Sequence, residues 1–137
     1  MQWEKGGFLL TDDSDRLDRE RTFALLNATY WGVRRPRELV ERMVEHSLCF
    51  SLFLDGVQVG FARAVTDYTV FSWIADLVID PPYRGRGIGR WMMECMITHP
   101  DLQRTQMVLQ TRDAHALYEK FGFCRNPALM STPVIGL

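Results

Sequence analysis

The order of apolar patterns along the chain predicts an α+β (mixed α/β) fold, with a single central, mostly antiparallel sheet flanked by helices. Three observations carry this. Residues 48–79 read as strands broken by an Asp55-Gly56 turn signal, which makes a three-strand antiparallel meander. Two helical patterns come before that block. After it, helix, strand and helix alternate, so the strands on either side of the first crossover helix should be parallel neighbours.

The elements follow in order. Residues 7–11 form a first short strand. Asp12-Asp13-Ser14-Asp15 is an acidic turn ahead of a helical pattern with Leu17, Phe23, Leu25 and Leu26 as its apolar positions. Tyr30 to Arg35 read as a loop, and Pro36 suits the first turn of a second helix carrying Leu39, Val40, Met43 and Val44. The meander strands are 48–54, 58–65 and 69–79, and Asp80-Pro81-Pro82 ends the last of them. A helix over 89–98 turns Trp91, Met92, Cys95 and Met96 to the core, and its methionines (Met92, Met93, Met96) are packing at helical spacing, not a metal site. A strand follows at 106–111. A short helix over 114–121 takes Asp113 as its cap and Gly122 at its end. A last strand is expected within 128–135.

The totals bound the function. A chain of 137 residues, 47% hydrophobic and 24% charged, is the size and composition of one ordinary soluble domain, 1–137. A net charge of −1 gives no global basic field for nucleic acid or an anionic membrane, so any attraction for phosphate is local. No apolar stretch reaches the length of a membrane span, and the first residues lack a signal-peptide pattern. Cys49, Cys95 and Cys124 are odd in number and far apart, which suits buried, reduced thiols in a cytoplasmic protein and no metal finger.

The segment Pro82-Tyr83-Arg84-Gly85-Arg86-Gly87-Ile88-Gly89-Arg90 carries the most chemistry. Glycines at alternate positions leave a turn whose backbone N–H groups can converge on an anion, with a helix N-terminus behind them. Arg84, Arg86 and Arg90 add positive charge. The dinucleotide fingerprint would need glycine at Arg90, and the Walker loop would need Gly-Lys-Ser/Thr; neither is met.

The stretch from Asp76 to Gly89 closely resembles the cofactor-binding motif of GNAT-superfamily N-acetyltransferases, Arg/Gln-x-x-Gly-x-Gly/Ala, met by Arg84, Gly87 and Gly89. The stretch from Ala114 to Phe123 is similar to the family's second signature, Ala-x-x-Leu-Tyr-x-x-x-Gly-Phe. The two stand in the family's order. One departure is Thr111, at a position where the family often has Asn.

The resemblance implies an acetyl-CoA-dependent N-acetyltransferase acting on a primary amine in a ternary complex. It places the pyrophosphate on the N–H groups of Gly85, Arg86, Gly87, Ile88, Gly89 and Arg90, with Arg84 nearby. The backbone of Leu77, Val78 and Ile79 would align the pantetheine arm, and one N–H there could serve as an oxyanion donor. The cofactor or substrate contact carried by that Asn is either missing here or made by the Thr111 hydroxyl. Tyr118 is the expected acid for the leaving thiolate, and Asp76 a candidate base, with Asp67 and His115 behind it. Tyr30, Trp31 and Arg34, with Arg35, form an aromatic-basic cluster for the acceptor, where an arginine could pair a carboxylate. No metal is implied. Homodimers are common in the family, but no residue pattern here derives one. Two other classes keep the same residues: a CoA-binding sensor without turnover, and an adaptor using Trp31 to hold a protein.

Overall fold

The computed structural model describes residues 1–133. Its sheet has six strands in chain order: β1 (Gln2–Lys5), β2 (Phe8–Thr11), β3 (Leu48–Leu54), β4 (Val57–Thr66), β5 (Phe71–Ile79) and β6 (Gln106–Leu109). The first five form an antiparallel meander, and β5 and β6 run parallel. The helices are α1 (Arg19–Asn27), α2 (Arg37–Glu45), α3 (Ile88–Ile97) and α4 (His115–Glu119). The mixed α/β architecture and the parallel pair match the expectation from sequence.

Strand alternation divides the core in two. Phe50, Leu52, Ala62, Ala64 and Ile74 meet Trp91, Met92, Cys95 and Met96 of α3. Cys49, Phe61 and Val78 point the other way, onto Leu25 and Leu26 of α1 and Val40 and Val44 of α2. Met92, Met93 and Met96 are wholly buried, and each side chain of this size contributes about 1.5–3 kcal/mol by leaving water. Asp18 caps α1 by accepting the Arg21 N–H at 3.0 Å.

Three expectations need correction. Strand β1 was not anticipated: only Trp3 of its four residues is partly covered, so it carries no apolar alternation to read. Asp113 does not cap α4. That helix starts after Ala114, whose N–H donates to Thr111 Oγ1 at 3.0 Å. Residues 128–133 form no strand, and the rest of that expected element lies outside the described residues.

Two irregularities in β5 position the site. Phe61 pairs with Val78 and Arg63 with Ala75, so Asp76 and Leu77 together oppose the single residue Ala62. This is a β-bulge, and Asp76 takes its left-handed conformation, with φ of 58°. On the other side, pairing with β6 stops at Ile74 opposite Leu109. The stretch from Ala75 to Ile79 continues without a partner there, leaving a wedge between the two parallel strands.

Candidate active site

A single 3-10 turn, Pro81–Tyr83, carries β5 into the glycine loop. Gly87 is the N-cap of α3 with φ of 77°, and Gly85 has φ of 79°. Such backbone suits glycine, because a side chain in this region costs about 1–2 kcal/mol. A Cβ added at either glycine would meet nothing within 4 Å, so both open on free space. Among the described residues no side chain caps α3, and the first bonded helical N–H is Trp91's, to the Gly87 carbonyl at 3.1 Å. The N–H groups of Ile88, Gly89 and Arg90 are therefore left for a ligand. Together these features make an anion cradle that closely spaced phosphates fit.

The three arginines of the loop differ. Arg84 turns back and donates from Nε to the Ile79 carbonyl at 2.8 Å, pinning the loop to the end of β5. The Arg86 guanidinium lies 5.7 Å from the centre of the Tyr83 ring. Arg90 is exposed in the first turn of α3. Among the described residues none of the three has an ion-pair partner, so their charge remains available to an anion.

At the bulge, Asp76 is buried and crowded by cations. Arg63 Nε donates to its Oδ2 at 2.5 Å, while Arg35 Nη1 and Trp31 Nε1 donate to its Oδ1 at 2.8 and 3.0 Å. Burial alone would raise the carboxyl pKa. The charge and hydrogen bond of Arg63, then those of Arg35, outweigh it and hold Asp76 below the usual carboxylate range. A carboxylate held this way is a poor proton acceptor, which argues against the expected base role. Asp67 is equally committed: its Oδ1 accepts the N–H groups of Thr69, Val70 and Phe71 in the β4–β5 turn.

Trp31 is not the core residue its size suggests. It is 41% exposed, and its covered edge serves Asp76. Tyr30 meets it edge-on with centroids 5.0 Å apart, and the Arg112 guanidinium lies 4.1 Å from the centre of the Tyr30 ring. Arg34 is exposed and makes no ion pair among the described residues. Sequence reasoning passed over Arg63 and Arg112 altogether. An arginine inside the apolar run of β4 was the available signal, since such a charge must be matched. Arg112 left no comparable signal.

Tyr118 is half-buried on α4, edge-on to Phe123 at 6.1 Å. Burial raises its phenol pKa, so it stays protonated at neutral pH. Tyr118, Thr111 and His115 line a cavity of about 700 Å³ between β6, α4 and residues 121–129. That cavity does not reach the glycine loop, and the open space at Gly85 and Gly87 is the better place for phosphate. Among the described residues no three His, Cys, Asp or Glu side chains gather as a metal site, and no helix is long and apolar enough to cross a membrane.

Residues 45–125 match the family model described as an acetyltransferase (GNAT) domain. The chain is similar to the GNAT-family protein xcc2953 from Xanthomonas campestris pv. campestris, at 37% identity and a TM-score of 0.89, with 96% of each chain covered. FG08082 of Gibberella zeae, whose name places it among acetyltransferases, is 27% identical over 89% of this chain and 82% of its own length. The uncharacterized N-acetyltransferase ycf52 of Porphyra purpurea is 30% identical over 75% of this chain and 63% of its own. Motifs, sheet and matches agree, and the chain belongs to the GNAT acetyltransferase family.

Proposed function

We propose that this chain, acting as one domain over 1–137, moves an acetyl group from acetyl-CoA to a primary amine by direct attack. The observation that carries this is the open cradle at Gly85 and Gly87, backed by the unbonded N–H groups of α3. In this reading the backbone from Gly85 to Arg90 holds the pyrophosphate. Arg84 fixes the loop, and Arg86 and Arg90 add charge. The unpaired side of Leu77, Val78 and Ile79 takes the pantetheine arm as an added strand, and an N–H at the bulge stabilises the developing oxyanion.

The amine nitrogen forms its bond to the thioester carbonyl carbon as the C–S bond breaks. The thiolate leaves with a proton from Tyr118, whose raised pKa keeps that proton available. The attacking amine loses its own proton to water, because Asp76 is engaged by two guanidinium groups. Neither buried cysteine carries the acetyl group: burial pushes the Cys49 thiol up to about 12 and the Cys95 thiol up to about 11. The reading uses no metal, and three free cysteines, Cys49 and Cys95 buried and Cys124 exposed against expectation, suit a reducing, cytoplasmic setting.

Calorimetric titration with acetyl-CoA, followed by an amine screen for thiol release, tests the proposal. Binding and amine-dependent release are expected. Binding without release from any amine would leave a CoA-binding module. No binding to the folded protein would remove the reading.

A further inference from the structure

Around Asp76 the charges do not balance. Two guanidinium groups share this one carboxylate, and the side chains of Arg63 and Arg35 are only 13% and 21% exposed. Arg63 also donates to Ser47 Oγ at 3.1 Å. The Arg35 guanidinium makes its single bond to Asp76 through Nη1, and its remaining N–H groups have no acceptor among the described residues. Covered charges are normally matched. Here one positive charge is left over, on a group with open donors, beside the bulge where the acetyl group would sit.

A second cation lies along the same surface. Arg112, in the β6–α4 connection, rests on Tyr30, which rests on Trp31, which donates to Asp76. Among the described residues its only carboxylate neighbour is Asp113 at 3.9 Å, and both side chains are about 70% exposed, so that pair is weak. Tyr30 and Trp31 are 59% and 41% exposed, a large aromatic surface between the two cations.

We infer that the acceptor is an amine that also carries a carboxylate. Arg35 supplies a fixed donor for that carboxylate, and Arg112 a movable one. Tyr30 and Trp31 carry the acceptor's apolar body, and its amine turns toward the wedge. This rests on the acetyl-transfer reading; of the two arginines expected to pair a carboxylate, Arg34 and Arg35, it keeps Arg35 and adds Arg112.

The test compares matched pairs with and without the carboxylate: phenylalanine with phenethylamine, and leucine with isoamylamine. Acetyl-CoA-dependent thiol release is measured for each, and binding to the CoA-saturated protein is measured by calorimetry. The carboxylate-bearing member should have a kcat/KM roughly 10- to 100-fold higher, as hydrogen bonds to a charged group imply. Arg112→Met and Arg35→Lys should each narrow that ratio, mainly through KM, while both proteins still unfold cooperatively. Carboxylate-dependent binding without turnover would support the anion site and overturn only the transfer reading. Equal turnover within each pair, or a ratio untouched by Arg112→Met, would overturn the anion site. So would the absence of both binding and turnover for all four compounds.

Discussion

The glycine loop and the Asp76 cluster are close neighbours along the chain, yet they are built by opposite means. The loop works by leaving things out: Gly85 and Gly87 have no side chain and, among the described residues, α3 has no side-chain cap and three arginines have no acidic partner. The cluster works by crowding one carboxylate with donors. A buried carboxylate is met by groups from the α1–α2 loop and from β4, and Arg63 runs on to Ser47. An open site can be blocked with little effect on folding. A crowded one cannot be changed without affecting folding too. Substitutions should therefore separate binding from stability in the loop and couple them at Asp76.

The largest separation is expected for Gly87→Glu. A carboxylate in the cradle displaces phosphate from several charge-assisted N–H bonds, each worth about 1.5–3 kcal/mol, so acetyl-CoA affinity should fall about 1,000-fold. The φ of 77° costs the variant only about 1–2 kcal/mol of stability. Gly87→Ala sharpens the comparison. It carries the same backbone strain with no charge, so its unfolding midpoint should match Gly87→Glu while it retains far more affinity by calorimetry.

Asp76→Asn should do the reverse. Asn tolerates the left-handed backbone, so the charge alone is removed. Leaving Arg35 and Arg63 unmatched should cost about 3 kcal/mol in urea unfolding, the low end for a broken buried pair because both arginines keep some contact with water. The pH dependence follows from the sign of the shift. Asp76 is held below its unfolded pKa, so its contribution is complete above the ordinary carboxylate range. It drains away as pH falls through that range toward the folded value. The stability gap between the parent and Asp76→Asn should be constant near neutrality and close in acid. A gap that is flat at every pH would remove the ion pairs as its cause.

Tyr118→Phe tests chemistry without disturbing either region. Loss of the acid should lower kcat about 100-fold, while acetyl-CoA affinity holds. An unchanged kcat would pass the leaving group's proton to water.

The same contrast explains what was legible in the sequence. The loop is local: Arg84, Gly85, Gly87 and Gly89 act within one turn, so their spacing alone gave the cradle. The meander was legible because Asp55-Gly56 and the apolar alternation are local too. The Asp76 cluster draws Trp31, Arg35 and Arg63 from distant parts of the chain, and no spacing rule links them. The bulge that turns Asp76 toward them depends on β4, so the carboxylate looked free to act as a base. β1 was missed because its pairing with β2, not its own pattern, makes it a strand.

The smallest expected effect lies at Thr111, between the two regions in character. Its hydroxyl accepts the Ala114 N–H at 3.0 Å, in place of the cap expected from Asp113. Thr111→Val keeps the shape and removes that acceptor, which should cost about 1 kcal/mol by thermal unfolding, as other lost helix-start bonds do. Because α4 has only five residues and carries Tyr118, loosening its first turn should also lower kcat a few-fold. Acetyl-CoA affinity should hold, since the cradle is untouched. Thr111→Asn offers a side-chain oxygen to the same N–H, and should restore both stability and rate. A Val variant that loses acetyl-CoA affinity instead would make Thr111 a direct contact to the cofactor, not a brace for the helix that positions the acid.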